Sequence, residues 1–231
     1  MQSEYFRYIM VKFIGRHCGM FRLYYSFHPR FSNLLVKPDT ELVIEGFPRS
    51  ANTFALLAFE RVQPRPVRIA HHLHAASQIT LGARFNVPML VLIREPVGAV
   101  ASLITRLQAV SPGQALAQYM SFYKCVEANM HKLVLADFSS VTSAYARVIE
   151  TLNARFHTSF HPYINTPAMD KAVFDEIDCI NRNHEGGDIH QLARPSEAKN
   201  SLLRAAQVRV ETHPMVDRAK AYFSVLSSYC V

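Results

Sequence analysis

The sequence predicts an α/β domain in which helices flank a central parallel sheet of four or five strands. From about residue 41 onward, short apolar runs alternate with helix-like runs, which is typical of strand–helix–strand units. The apolar runs contain almost no polar residues, as expected for strands that are buried on both faces. The length of 231 residues fits one such domain over 41–231, with C-terminal helices, preceded by an amphipathic helical segment over 1–40.

The N-terminal segment has a helical periodicity. Lys12 and Arg16 fall opposite its apolar face, which is formed by Phe6, Met10, Phe13, His17, Phe21 and Tyr24. Two interpretations are open at this point. The helix either packs on the domain, or lies on a membrane surface or a partner protein.

The remaining elements follow in order. Strands are predicted over 41–45, 67–71, 88–93 and 131–136. Helices are predicted over 53–62, 75–84, 97–108, 113–130, 140–155, 169–182, 197–209 and 213–229. The segment from Pro162 to Pro167 predicts a break, and His184 to Asp188 predicts a loop.

Composition narrows the class of protein. A hydrophobic content of 49% with 19% charged residues excludes general disorder. The net charge of +7 suits an anionic ligand, a nucleic acid or an acidic membrane surface. Four scattered cysteines without a CxxC pair fit a reducing compartment. With no apolar run near the ~20 residues of a membrane span and no clear signal peptide, we expect a cytoplasmic protein, with membrane association through the N-terminal helix left open.

Two segments each have the features of a phosphate site. The first, Glu45 to Phe54, follows the strand-like run Leu42-Val43-Ile44, and the second, Leu92 to Ser102, follows Pro88 to Val91. A strand that leads into a helix N-terminus presents free backbone N–H groups and a positive dipole end. Two such sites on one sheet predict a ligand with two separated phosphate groups.

The first segment differs from the general phosphate loop, GxxxxGK followed by Ser or Thr. When Gly46 is aligned with the first glycine, Ala51 takes the second glycine position, Asn52 the lysine position and Thr53 the hydroxyl position. The only cation of the loop is Arg49. The loop is therefore suited to holding a phosphate and poorly suited to phosphoryl transfer from ATP with magnesium.

This segment resembles the 5'-phosphosulfate loop of the sulfotransferases that use 3'-phosphoadenosine 5'-phosphosulfate (PAPS), which commonly reads Pro-Lys-Ser-Gly-Thr-Thr-Trp. Here it reads Pro48-Arg49-Ser50-Ala51-Asn52-Thr53-Phe54. The resemblance implies a P-loop-type three-layer fold. It places Arg49 at the loop lysine, Ser50, Ala51, Asn52 and Thr53 around the 5'-phosphate, and Phe54 where an aromatic ring stacks on adenine. Ala51 replaces a glycine, which matters if the position has a positive φ.

The resemblance extends to the second segment over roughly 41–160. In that family an arginine at the end of the third strand and a serine eight residues later hold the 3'-phosphate, and Arg94 and Ser102 have this spacing. Arginine offers planar bidentate donors to phosphate. Glu95 replaces the family's Asn or Asp before the proline. In the C-terminal part only Arg194 and Ser196 are assigned to a loop that closes the donor pocket, and Asp137 is predicted to cap a helix.

His72 is the predicted general base. In cytosolic members the catalytic histidine lies 22 residues before the 3'-phosphate arginine and precedes a leucine, as His72 precedes Leu73. Independently, strand ends in an open α/β sheet face the ligand crevice, and a histidine there can accept a hydroxyl proton. His74 is the alternative because alternate residues of a strand share a face, and His71 is a weaker one. The family's lysine two positions earlier is Ala70 here. No carboxylate or cysteine set accompanies the histidines, so no metal is predicted.

The sequence therefore predicts a PAPS-dependent sulfotransferase with 3',5'-adenosine bisphosphate as the product. The acceptor would be a hydroxyl, or less readily an amine, of a small molecule, a glycan or a lipid-like compound, and no nucleic-acid partner is expected. Two alternatives are a P-loop nucleotide kinase, which the missing lysine opposes, and a non-catalytic binder of nucleotides or nucleic acid, which the net charge of +7 favours. The oligomeric state stays open.

Overall fold

A computed structural model describes residues 2–185 and 197–231 of the chain. Its centre is one four-stranded, all-parallel sheet made of β1 (Leu42–Gly46), β2 (Ile69–His71), β3 (Met89–Ile93) and β4 (Val134–Asp137). The spatial order is β2-β1-β3-β4. The predicted α/β class and parallel sheet are confirmed, with four strands.

Helices connect and cover the strands. They are α1 (Gln2–Ile14), α2 (Cys18–Ser26), α3 (Asn52–Val62), α4 (Ala76–Phe85), α5 (Pro96–Arg106), α6 (Pro112–Ala128), α7 (Phe138–Ser143), α8 (Tyr145–Phe156), α9 (Pro167–Glu185), α10 (Glu197–Glu211) and α11 (Val216–Ser227). The segment over 157–166, which contains Pro162, separates α8 from α9. This agrees with the predicted break.

The alternation of side chains along the strands produces two hydrophobic cores. Val43, Met89 and Val91 face a core that includes residues of α4, α5, α6, α10 and α11. Leu42, Ile44 and the other face of β3 meet α3, α8 and α9. The sheet is thus the middle layer of three, which explains why its strands read as nearly continuous apolar runs.

The sheet order creates a switch point between β1 and β3. The chain leaves β1 toward β2 on one side and leaves β3 toward β4 on the other. Their outgoing loops diverge, and in open α/β sheets the ligand crevice lies at such a point, outside the carboxyl ends of the strands. Both predicted phosphate segments begin at this crevice, one after β1 and one after β3.

Two helix predictions are corrected. The helix predicted over 140–155 is split into α7 and α8 at Ala144, where Asn165 accepts the Tyr145 backbone N–H (2.7 Å). The single N-terminal apolar face is also wrong, because the helix ends near Gly15 and a second helix begins at Cys18. Phe21 is fully buried in the domain core, whereas Phe6 is 70% exposed.

Gly46 at the end of β1 provides a test of how closely the central strands approach. A Cβ atom there would lie 2.6 Å from the Leu92 carbonyl oxygen and 3.0 Å from the Leu92 Cβ, neither of which can move without disturbing β3. We expect Gly46→Ala to lower the free energy of unfolding by about 1–3 kcal/mol in urea denaturation. The matched control is Gly19→Ala in α2, where a Cβ meets nothing within 4 Å and should be neutral or stabilising. Equal effects of the two substitutions would contradict this account.

Candidate functional site

The loop after β1 adopts a conformation that L-amino acids rarely take. Arg49 has a φ of 71° and Ala51 a φ of 69°, both in the left-handed region. Left-handed residues in a turn help to direct successive backbone N–H groups toward one point, which is how many proteins build a concavity for anions. The predicted need for a positive φ at Ala51 is therefore real, and alanine carries the strain that glycine would avoid.

Left-handed residues cluster at this end of the sheet. His72 and His74, after β2, have φ values of 57° and 48°. Among the described residues other than glycine, only Asn86 and His157 share this conformation, and both end helices in an ordinary left-handed cap. Backbone strain concentrated in two neighbouring loops is typical of functional sites, where the surroundings hold the chain in place.

The two predicted phosphate segments meet at the crevice. The Arg49 Nε donates a hydrogen bond to the Ser102 Oγ (2.9 Å), and Arg94 donates to the Arg49 carbonyl oxygen (3.0 Å). The Arg94 guanidinium also lies 4.3 Å from the centre of the Phe138 ring, which fixes its plane. Arg49, Arg94 and Ser102 therefore form one basic cluster, although they lie up to 53 positions apart in the chain.

The helix N-termini beside these arginines differ. No side chain caps α3, so its first backbone N–H groups have no partner of that kind. At α5 the Glu95 carboxylate accepts the backbone N–H groups of Val97 and Gly98, each at 2.9 Å. Because these two donors are already satisfied, an anion at this segment would depend on the Arg94 and Ser102 side chains.

His72, which follows β2, lies next to the first loop. Its Nε2 lies 3.0 Å from the Thr53 Oγ1 of the first loop, and its Nδ1 lies 2.7 Å from the His71 Nδ1. If His72 donates from Nδ1 to His71, its Nε2 is left as an acceptor that faces the loop. Burial lowers the pKa of His72 to about 3, with a smaller contribution from the charges of His71 and Arg106, so the ring is uncharged at neutral pH.

His74 has a different role from His72, although the two were expected to share a face. The strand ends at His71, and the left-handed turn directs His74 behind the loop, where its Nδ1 donates to the Gly46 carbonyl oxygen (2.8 Å). It also lies 3.6 Å from the Glu45 carboxylate. His74 is therefore a scaffold residue, which favours His72 as the base.

Glu45 and Lys12 also lie at the site, although neither was predicted as a site residue. The Glu45 carboxylate is fully buried and accepts backbone N–H groups from Leu73 (2.7 Å) and His74 (3.1 Å). Burial raises its pKa to about 8, while these bonds and the charge of Lys12 oppose the rise. Lys12 of α1 reaches the His74 carbonyl oxygen (3.4 Å), so a cation approaches this strand end from another element although Ala70 replaces the family's lysine. In the sequence, the sign of Glu45's importance was its position as the one acidic residue in an otherwise apolar strand.

Other predicted site residues fall elsewhere. Phe54 is 3% exposed and packs against Tyr163 and Phe174 in the core, so its predicted stacking on adenine is wrong. Asn52 is also buried, and its amide donates to the Phe47 carbonyl oxygen (3.0 Å). Arg194 and Ser196 lie outside the described residues. Asp137 caps α7 by accepting the Ser140 backbone N–H (2.6 Å), which confirms the predicted cap.

Comparisons with protein-family models, with curated proteins and with solved structures found no match. Within the described residues, no group of three histidine, cysteine, aspartate or glutamate side chains is arranged to hold a metal ion. In the same parts of the chain, no helix combines the length and the apolar character needed to cross a bilayer. The relation to the PAPS sulfotransferases therefore stays a prediction that depends on the motifs and their geometry.

The strain at Ala51 is open to measurement. We expect Ala51→Gly to raise the free energy of unfolding by about 1 kcal/mol, because glycine adopts a positive φ without a Cβ clash. Ala154→Gly, at an exposed position within α8, is the matched control and should lower it by about 0.5–1 kcal/mol. Urea denaturation of the two variants measures both effects. A loss of stability in both would show that the loop conformation is not strained.

The histidines predict a pH dependence of stability. Burial lowers the pKa of His71 to about 4 and that of His72 to about 3, whereas unfolded histidine titrates near pH 6.5. The unfolded chain binds more protons in this window, so the free energy of unfolding falls as the pH drops below about 6.5. We expect His71→Asn/His72→Asn to flatten this fall by about 1 kcal/mol per pH unit for each histidine.

Urea denaturation at several pH values between about 7 and 4 measures this difference. Glu45, with its raised pKa, changes stability in the opposite sense between pH 4.5 and about 8, but it is common to both proteins and cancels in the comparison. An identical slope in the variant and the unaltered protein would refute the assignment of buried, uncharged histidines.

Proposed function

We propose that this protein transfers a sulfuryl group from PAPS to a hydroxyl, or less readily an amine, of an acceptor. One observation supports this above all: Arg49, Arg94 and Ser102 meet at the switch point of the sheet, beside a histidine that contacts the first loop. Two arginines from separate strand ends suit a ligand with two phosphate groups. The neighbouring histidine adds a group that can move a proton.

The loop after β1 would hold the 5'-phosphosulfate. Its backbone N–H groups from Ser50 to Thr53 would donate to the phosphate oxygens: Arg49 and Ala51 are left-handed, no side chain caps α3, and Arg49 adds a positive charge. The Ser50 side chain is fully buried beside the Tyr123 hydroxyl, so the loop would contribute its backbone N–H groups and Arg49 rather than the Ser50 hydroxyl. The residues present therefore fit a bound phosphate.

The 3'-phosphate would be held by Arg94 and Ser102. Phe138 beneath the guanidinium and the Arg49 carbonyl oxygen at its side fix the orientation of Arg94. A guanidinium that is already oriented loses less conformational entropy when it forms paired hydrogen bonds to phosphate. Arg49 and Ser102 would exchange part of their mutual hydrogen bond for bonds to the donor.

His72 would act as the general base. Its uncharged Nε2 accepts the hydroxyl proton while the acceptor oxygen bonds to sulfur and the bond from sulfur to the phosphate oxygen breaks. Arg49 and the loop N–H groups stabilise the negative charge that develops on that leaving oxygen, which departs with 3',5'-adenosine bisphosphate. The negative charge of the bound donor raises the pKa of His72 from its low value, which makes the ring a stronger base in the complex.

The alternatives find less support in the geometry. In a nucleotide kinase of the P-loop class, a lysine at the position of Asn52 contacts the β- and γ-phosphates, but the Asn52 amide is buried and bonded to Phe47. The acidic Glu45 is bonded to backbone N–H groups behind the loop. A non-catalytic nucleotide binder would share the arginine cluster but would not need His72.

Calorimetric titration with 3',5'-adenosine bisphosphate tests the donor site. We expect the unaltered protein to bind it more tightly than ATP with magnesium, and Arg94→Ala to weaken this binding by at least about tenfold, because a charged hydrogen-bond pair to phosphate is lost. The matched control is Arg147→Ala, which removes the same charge from an exposed position in α8 and should bind normally. Preference for magnesium ATP would overturn the proposal in favour of a kinase.

The base is tested separately with His72→Asn. We expect this variant to bind 3',5'-adenosine bisphosphate normally and to lose most PAPS consumption in a screen of hydroxyl acceptors, typically 10²–10⁴-fold. Bisphosphate binding together with turnover that is unchanged by this substitution would exclude His72 as the base. Binding without turnover on any acceptor class would favour a non-catalytic binder.

A further inference from the structure

The N-terminal helices expose an unusual amount of apolar surface. Among the described residues, seven of the thirteen large exposed hydrophobic side chains lie within the first 27 positions. They are Phe6, Ile9, Met10 and Phe13 on α1, with Met20, Leu23 and Phe27 on and just after α2, and they are called the apolar stripes below. The spacing of three, four or seven residues places each set on one side of its helix.

The stripe on α1 is not the side that holds the helix to the domain. Tyr8 donates a hydrogen bond to Gln118, Lys12 reaches the His74 carbonyl oxygen (3.4 Å), and the Gly15 carbonyl oxygen accepts the Ser77 backbone N–H (2.9 Å). These contacts fix one side of α1 against the domain. Phe6 and Phe13, which point away from it, are 70% and 53% exposed.

The charge of the N-terminal segment indicates what kind of surface the apolar stripes bind. Between Glu4 and Asp39 the sequence contains no acidic residue but six basic ones. Of these, Arg16, Arg22, Arg30 and Lys37 are exposed. Exposed aromatic and aliphatic residues combined with basic residues alone are complementary to a surface that is apolar inside and anionic outside. A lipid bilayer with anionic headgroups has both properties.

We propose that α1 and α2 dock this protein on an anionic membrane surface through the apolar stripes. The side chains of Phe6, Phe13 and Leu23 insert at the boundary of headgroups and acyl chains, and the arginines interact with the anionic headgroups. This inference concerns a surface outside the crevice, and it holds whether or not the protein transfers a sulfuryl group.

Flotation of the full chain with lipid vesicles tests the proposal. We expect the protein to float with phosphatidylcholine vesicles that contain phosphatidylserine, to bind pure phosphatidylcholine vesicles far less, and to dissociate as salt is raised. Phe6→Ser/Phe13→Ser should weaken binding to the anionic vesicles roughly tenfold or more, because two large apolar side chains no longer enter the bilayer.

The matched control is Ile164→Ser/Val225→Ser, which removes two side chains of similar exposure (66% and 55%) from other parts of the surface and should bind as the unaltered protein does. Thermal unfolding of both variants confirms that they are folded. Failure of the unaltered protein to float, or equal flotation of the two double variants, would overturn the proposal. A dimer that Phe6→Ser/Phe13→Ser converts to a monomer, without flotation, would assign the stripes to self-association instead.

Discussion

The site depends on one buried carboxylate. Glu45 lies at the end of β1 with no exposure to solvent, and its oxygens accept the backbone N–H groups of Leu73 and His74 from the neighbouring strand end. A buried carboxyl group is costly unless it is hydrogen-bonded, whether charged or neutral, so these bonds fix the path of the chain after β2. That path is the left-handed turn that directs His72 toward Thr53 and His74 toward Gly46. The geometry of the proposed base therefore depends on a residue that would not touch the ligand.

The crevice combines this turn with the sheet topology. Because β1 and β3 are adjacent and their outgoing loops diverge, Arg49 and Arg94 reach the same point from opposite sides. The left-handed conformation of Arg49 and Ala51 in the first loop costs stability, as is common where a functional site constrains the backbone. The fold tolerates this cost because two extensive cores lie on the two faces of the sheet.

The sheet was predictable because periodicity and burial act along the chain, and the apolar runs have the length of strands. The adjacency of Arg49, Arg94 and Ser102 followed only from the motif resemblance, since sequence spacing does not set the order of strands. The position of Phe54 was not predictable from the motif, because an aromatic residue in the first turn of a helix packs equally well on a ligand or in a core. In the fold it packs in the core, because Tyr163 and Phe174 lie against it. Lys12 was assigned to the polar face of an isolated helix, and only tertiary packing brings it to the site. The left-handed turn after β2 was also not predictable from the sequence, because histidine has no strong preference for that conformation.

The internal hydrogen bonds of the crevice have a consequence for selectivity. Arg49 is bonded to Ser102, and Thr53 is in contact with His72, so these four side chains already have partners without a ligand. An incoming anion must exchange these bonds, and its net gain is the difference between the new bonds and the old ones. A small anion such as inorganic phosphate replaces one pair at a time and gains little. A ligand with two anionic groups at the right separation replaces several bonds in a single binding event. The crevice would therefore select ligands by the distance between their two negative groups as well as by their charge.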